Sequence, residues 1–598
     1  MTTQAIQADS TFGTFFLKAD ETPASAHRLV LVAIVTLSIL IRVIYFLEIS
    51  ASPVAYSHLV PPSDMHFFDA WAKSILSGDT LTDKALHPLN RWQRQLAQEY
   101  FRMRPDTETE LIASGVKNPA RALWNRWYGG KRFHQEPLYP YLVALTYRVA
   151  GPDVRAVFVW QMFIGILTNV LIYFLARRFF GSVAASMAAV MALLYSPLLF
   201  YETVLLRSTL ITFTTLLILF LADSAIRRNS IWLWFINGIV FGLAIMLKMS
   251  LVLIVAVVLV VFCVCHRRML PVMMRNGALI ATGSLIILSP LIIRNTIVGV
   301  APLEMSSVGA VTFACTNTVD YSPDIPEAFP CSKKHVPAIM GETDGEFFPT
   351  IVQTLRTHTG ITSYFSQVGK KFLSIWNWYE TPNNVNYYFY QQYSRLLRYL
   401  PLTFAWVGLL GGIGMGFGLL RLRELALLYA VAAAIIAPML LFYALSRFRA
   451  PLAALMIPFA AAGLLELLIW TRRRLLAGMM LLAGIVLSPI LLHAPPAIRS
   501  IDHLNTYQLF YQPRILTAAQ SGETARLDLL FAEALRNEPD IASDRPAMNA
   551  NQFQSARVFY RIRHDYAQNL RQQGRNREAD EQVRRAEDMK TGAIPYRR

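Results

Sequence analysis

Charge is what this sequence has least of. Asp, Glu, Lys and Arg together make up 16% of its 598 residues, and apolar residues make up 54%. Soluble proteins average roughly 25% charged, so the deficit excludes the string of soluble domains that this length would otherwise imply. Cysteine is also scarce, at four residues. Cys263 and Cys265 lie inside an apolar run and read as inert core residues. Cys315 and Cys331 flank a Pro-rich polar loop; in an oxidising compartment they form a disulfide worth about 3 kcal/mol. Neither pair has zinc-ligand spacing, so no metal site is assigned. The first apolar run, Leu29 to Leu47, lacks a small-residue cleavage site and reads as a retained span rather than a signal peptide. The net charge of +17 comes without basic patches interleaved with aromatics, which excludes nucleic-acid binding.

What is abundant is the long apolar run. About 20 residues of helix cross a bilayer, and roughly eleven runs qualify: 29–47, 154–176, 183–200, 205–225, 230–248, 251–265, 275–293, 401–420, 425–445, 451–470 and 475–492. The 251–265 run is short for a span, and is either tilted or joined to its neighbour through the Lys248–Ser250 turn. The expected fold is therefore an all-α polytopic membrane protein. With the N-terminus in the cytoplasm, strict alternation puts Arg177–Arg178, Arg227–Arg228, His266–Arg268, Arg421 with Arg423, and Arg472–Arg474 on the cytoplasmic side. That one-sided bias is what membrane insertion favours in short loops.

The expected organisation is a cytoplasmic tail (1–28), a membrane domain (29–493) and a periplasmic helical domain (494–598). Two polar segments, 48–153 and 294–400, fall outside and exceed ordinary loop lengths, which marks them as functional. Residues 67–77 have apolar residues at helical spacing and suit the interface; residues 137–150 read as a juxtamembrane or re-entrant helix. The tail has helical stretches at 513–537 and 550–590, the second like one tetratricopeptide-type unit turning at Gly574.

Chemistry is expected at the outer ends of the spans. Arg207, Lys248, Arg294, Arg447 and Arg449 map to that level, where the charge bias predicts few cations. Each can snorkel alone, but gathered they suit an anionic ligand, above all a phosphate. The first outer segment supplies Asp64, His66 and Asp69 soon after the first span, and Glu136 before an aromatic turn. A carboxylate held near a membrane-embedded pocket suits a general base acting on an acceptor hydroxyl. In the second outer segment, Trp376 and Tyr379 lie among asparagines, a mixture that suits a sugar and equally an interfacial belt.

These residues carry a family resemblance. Asp64-Met65-His66-Phe67 resembles the Asp-Glu-x-His-Phe motif of protein O-mannosyltransferases, one residue shorter and without its second acid. Glu136-Pro137-Leu138-Tyr139-Pro140-Tyr141 resembles an element of bacterial glycosyltransferase family 39, which includes aminoarabinose lipid A transferases. Gln161 with Ala176–Gly181, Tyr201-Glu202 with Leu205-Leu206, Arg294-Asn295, and Ser446–Pro451 are similar to further elements in the same order. The resemblance spans roughly 30–470, and the usual acid after the Leu-Leu element is replaced around Arg207–Ser208.

The resemblance implies a GT-C-like bundle of about eleven helices, using a polyprenyl-phosphate sugar as donor and working on the periplasmic side of a bacterial inner membrane. It implies Asp64, His66 and Glu136 as catalytic residues, and Lys248, Arg294, Arg447, Arg449 and Arg207 as partners of the departing phosphate. Tyr139, Glu202, Asn295, Trp376 and Tyr379 are its substrate-binding candidates. Direct displacement from a phosphate-linked donor implies inversion. The expected partners are membrane lipid, the lipid-linked donor, and a glycan, lipid or protein acceptor; a divalent metal stays open. The rival readings are a lipid-linked glycan ligase or polymerase, and a flippase, whose internal repeats are not found here. A non-catalytic assembly role has only the short repeat in its favour.

Overall fold

The computed structural model describes residues 24–473 and 500–592, apart from 62, 85–86, 268, 324–330 and 539–549. The expected 475–492 span and most of the N-terminal tail lie outside the described residues. Among the described residues the structure is helical, without a named strand; a single isolated bridge joins Tyr195 to Leu402. Among the described residues, seven helices are long and apolar enough to cross a membrane: Ser25–Ser50, Val154–Leu194, Ser208–Arg228, Met249–His266, Leu270–Val298, Phe404–Leu441 and Ser446–Ile469. Ile231–Leu247 is a shorter apolar helix. The chain is thus a multi-pass helical membrane protein.

Two of the expected spans, 154–176 and 183–200, follow one another without a loop in Val154–Leu194 and meet at a kink. A straight helix of 41 residues would run about 60 Å, twice the hydrocarbon thickness of about 30 Å. Gly181 breaks it, with φ +86° and ψ 176°, a conformation open to glycine and costly for any residue with a Cβ. The expected 183–200 span is also cut short. It stops at Leu194, Tyr195 bridges to Leu402, and Pro197 starts a new short helix, Ser196–Tyr201. Proline suits a helix's first turn and not its middle. At the Lys248–Ser250 junction the chain leaves Ile231–Leu247, becomes extended at Lys248, and re-enters helix through the 3-10 turn Met249–Leu251.

The chain divides into two compact units. The first contains Met1–Arg42, Phe67–Pro382 and Leu400–His493. Within it the polar segments build an aromatic core of their own: Leu96, Phe101, Trp124, Trp127 and Tyr128 pack with Val311, Cys315, Ile339 and Met340. Cys315 and Cys331 form a disulfide at the edge of this core.

The second unit contains Val43–His66, Asn383–Tyr399 and Ala494–Arg598, so the tail is not alone in it. Tyr507, Phe510, Leu527, Phe531, Phe559 and Ile562 form its core. The helices Ala550–Gln572 and Asn576–Gly592 turn at Gly574 and close on Leu570 and Ala579.

Candidate active site

In the first unit the break between Leu247 and Met249 is held by an ion pair. Arg207, at the N-cap of Ser208–Arg228, grips the buried Glu136 carboxylate through Nη1. The same Nη1 donates to the Leu247 carbonyl at 2.9 Å, and Nη2 donates to Gln135 Oε1 at 2.8 Å. Glu136 Oε1 accepts from the Met249 N–H at 2.8 Å. Two backbone groups flanking Lys248 are thereby bound by one clasp, which satisfies polar groups that the helix break would leave unpaired. Burial pushes the Glu136 carboxyl up, but the Arg207 charge and the Met249 N–H outweigh it and hold the group below its ordinary value.

The five candidate cations differ in their surroundings. Lys248 and Arg447 are half-buried, and both lie against Phe448, with Lys248 Nζ 3.5 Å and Arg447 Cζ 4.8 Å from the ring centroid. Residues distant in sequence thus bring two accessible cations to one aromatic ring, a favourable arrangement for each. Arg449 is buried against Glu380 at 3.1 Å and donates to the carbonyls of Ile375, Asn377 and Tyr379. Arg294 is buried over Phe133 and donates to the carbonyls of Leu81, Thr82 and Lys131. The structure therefore gives Arg207, Arg294 and Arg449 protein partners, as guanidiniums with five donors in a fixed fork readily take.

Glu202 has a partner that sequence reading missed. Arg42, inside the first apolar helix, donates to Glu202 Oε1 at 2.6 Å, and both side chains are buried. Gly165 makes room for the pair: a Cβ there would stand 1.9 Å from Glu202 Oε1 and 2.7 Å from Arg42 Nη2. Gln161 donates to the carbonyls of Glu202 and Val204 at 2.9 and 3.0 Å and accepts from the Tyr139 hydroxyl at 2.9 Å. Tyr139 and Glu202 thus belong to one buried network running toward Arg207. Beside it is a small cavity lined by both polar and apolar residues, among them Thr168, Asn169, Leu198, Tyr201, Glu202 and Thr212. The signal for Arg42 was present, since an intramembrane cation calls for a named counter-ion.

In the second unit Asp64 is half-buried, its backbone N–H donates to Asn384 Oδ1 at 3.0 Å, and its Oδ2 accepts from Asn384 Nδ2 at 2.7 Å. The two residues lie 320 positions apart, and nothing in the sequence linked them. His66 is half-buried on the same helix, with its N–H on Ser63 Oγ. Asp69 is buried between Tyr147 at 2.8 Å and Lys73 at 2.6 Å. Asn295 closes the turn after Leu270–Val298 by donating to the carbonyls of Ala301, Pro302 and Glu304. Tyr379 is buried, and Trp376 ends the helix Ile361–Trp376. Among the described residues no three His, Cys, Asp or Glu are grouped to hold a metal.

Residues 134–293 match the family described as dolichyl-phosphate-mannose-protein mannosyltransferase. Glu136, Gln161, Glu202, Arg207 and Lys248 all fall inside that stretch. Among solved structures, the apo oligosaccharyltransferase of Archaeoglobus fulgidus is 13% identical, with 87% of this chain and 59% of that one covered and a TM-score of 0.41. The same protein with zinc and sulfate matches over 67% of this chain and 49% of its own, at 13% identity and a TM-score of 0.37, so the chain spans about half its length. ArnT from Cupriavidus metallidurans bound to undecaprenyl phosphate is 15% identical, covering 88% and 75% of the two chains with a TM-score of 0.32. No curated protein matches the chain. Structural likenesses of this order assign no role to any residue.

Proposed function

We propose that this chain is a membrane glycosyltransferase that moves a sugar from a polyprenyl-phosphate carrier to an acceptor at the outer face of a bacterial inner membrane, with inversion. The observation that carries the reading is the meeting of Lys248 and Arg447 at Phe448, beside a break in the spans whose backbone is fixed by Glu136 and Arg207. The name of the family matched at 134–293 supports a phosphate-linked lipid donor.

In this reading Asp64 takes the proton of the acceptor hydroxyl, oriented by Asn384. The acceptor oxygen bonds to the anomeric carbon as the bond from that carbon to the phosphate oxygen breaks. The phosphate leaves with one more negative charge, which Lys248 and Arg447 neutralise. Charge developing in a water-poor site is where fixed cations lower a barrier most. Glu136 and Arg207 act through Lys248 as positioning residues.

The test is transfer from a panel of radiolabelled polyprenyl-phosphate sugars by reconstituted wild type, Asp64→Asn, and Lys248→Met combined with Arg447→Met. Wild type is expected to release sugar, Asp64→Asn to keep donor binding without turnover, and the double variant to lose at least about 100-fold in kcat. Retained lipid binding without turnover of any donor, even with a mixed envelope extract as acceptor, would overturn transfer in favour of lipid carriage.

A further inference from the structure

Two helices of the second polar segment are built inside out. Phe347–Leu355 buries Thr350 and Thr354 and exposes Phe348, Val352 and Leu355. The threonines are satisfied inward, Thr350 Oγ1 on Thr343 Oγ1 at 2.8 Å and Thr354 Oγ1 on the Thr350 carbonyl at 2.6 Å. Ile361–Trp376 buries Gln367 and Lys371 and exposes Ile361, Phe365, Phe372 and Leu373. Phe348 is 77% exposed, Leu373 70% and Phe365 61%. A lone exposed leucine needs no explanation, but buried polar residues opposite a row of exposed aromatics do.

Ile361–Trp376 has three sides, as its 3.6-residue period sorts them. Gln367, Lys371 and Ile375 are buried within the protein, and Gln367 donates to the carbonyls of Thr318 and Tyr321. Ser363, Ser366, Lys370 and Ser374 form a polar side. Ile361, Phe365 and Phe372 form the apolar side, and Leu373 lies at the border of the polar side, beside Ser366. A helix in water has only two such sides. A third, apolar and uncovered by the described residues, suits an element that meets protein, water and hydrocarbon together.

The surroundings locate the hydrocarbon. Ile361–Trp376 packs on Leu422–Leu441, part of a membrane-crossing run. Lys371 Nζ donates to Asn317 Oδ1 at 2.7 Å, and Asn317 Nδ2 donates to the Leu441 carbonyl at 2.8 Å. Arg449 ties the Ile375 carbonyl to the start of Ser446–Arg473. The exposed face is therefore held at the end of two spans, and Trp376 closes the helix where aromatic residues favour the membrane boundary.

We propose that residues 347–376 form a lipid-seated hairpin, its Phe348–Val352–Leu355 and Ile361–Phe365–Phe372 faces buried in the bilayer leaflet at the Leu441 end of the spans, and not a loop in water. The partner is the leaflet itself, at the depth of the first acyl carbons. The hairpin touches neither donor nor acceptor in this assignment, which stands apart from the transfer reaction.

Site-directed nitroxides test it in vesicles of phosphatidylethanolamine and phosphatidylglycerol. Phe348→Cys, Phe365→Cys and Leu373→Cys are made separately with Cys263→Ser and Cys265→Ser, leaving the 315–331 disulfide intact. Val260→Cys, exposed on the Val252–His266 span, is the lipid control, and Glu110→Cys, exposed in the first polar segment, the water control. The three labels are expected to be reached by oxygen over a water-soluble nickel chelate, with the sign of the depth parameter found at 260. The sign found at 110 overturns the proposal; so does protection from both reagents, which would mean a protein interface, such as a second copy. Wild-type protein labelled by a carbene-generating phospholipid needs no variant: label within 347–376 and none within 91–113 supports the hairpin, and the reverse refutes it.

Discussion

Helix Arg91–Met103 and helix Ile361–Trp376 are both amphipathic, and they face opposite ways. The first buries Leu96, Ala97 and Phe101 and exposes Arg91, Arg94 and Arg102. The second buries Gln367 and Lys371 and exposes Phe365 and Leu373. Amphipathicity tells that a helix has two faces; it does not tell which of them meets the protein. That depends on whether the medium outside is water or hydrocarbon, and with the hairpin seated in lipid the two polar segments answer differently.

The comparison breaks most easily at its aromatic cores. Trp124→Ala removes a fully buried ring from the first segment and is expected to cost about 3–5 kcal/mol, read as lost hydrogen-exchange protection across 91–127. Phe365→Ala in detergent should stay within about 0.5 kcal/mol. The reverse ranking would mean that Phe365, not Trp124, sits in a protein core. Next in size is the disulfide: Cys315→Ser with Cys331→Ser is expected to lose about 3 kcal/mol around 309–340, measured by local protease susceptibility, while the 347–376 hairpin keeps its protection.

A smaller effect separates the buried faces by pH. Burial lowers the Lys371 ammonium from its ordinary value to about 7. The unfolded side chain titrates near 10.4, so between about 7 and 10.4 the unfolded state binds more protons and stability rises with pH. Below about 7 both states are protonated and the full penalty for burying the charge is in place. Between pH 7.5 and 8.5 the gain is at most about 1.4 kcal/mol, seen as a rise in the melting temperature. Lys371→Met should remove this rise, and an unchanged slope would assign it to another group. The smallest effect is expected from Leu373→Ser, neutral within about 0.5 kcal/mol in detergent but weakening photolabelling of the hairpin in vesicles.

Much of the membrane architecture was legible because a bilayer asks for long apolar runs, and such runs are visible one residue at a time. The helix break at Lys248 was legible as one of two readings of the short 251–265 run, the one that joins it to its neighbour through a turn. The break between 176 and 183 was legible from its two apolar runs and Arg177–Arg178, but not that Gly181 makes it without a loop, because a positive φ leaves no mark on a glycine that is also ordinary in membrane helices. The cations were legible as a set at one level, but not in their surroundings. The groups they meet, such as Glu380 for Arg449, the carbonyls around Arg294 and the Phe448 ring for Lys248, come from distant segments. Asp64 and Asn384 were beyond reach for that reason too. Arg42 was overlooked because its neighbours made a convincing span, although a charge within such a run is itself a demand for a counter-ion.

The Gly181 kink has a practical corollary for mapping sidedness. Val154–Leu194 reverses or bends without an intervening loop, and Arg178 at that end is engaged with Asp223. A protease site or reporter tag inserted there would have no slack to occupy and would break the helices on both sides. Orientation should be read instead at Asn229, the left-handed C-cap between Ser208–Arg228 and Ile231–Leu247, where the chain already leaves its helix and an added epitope has somewhere to go.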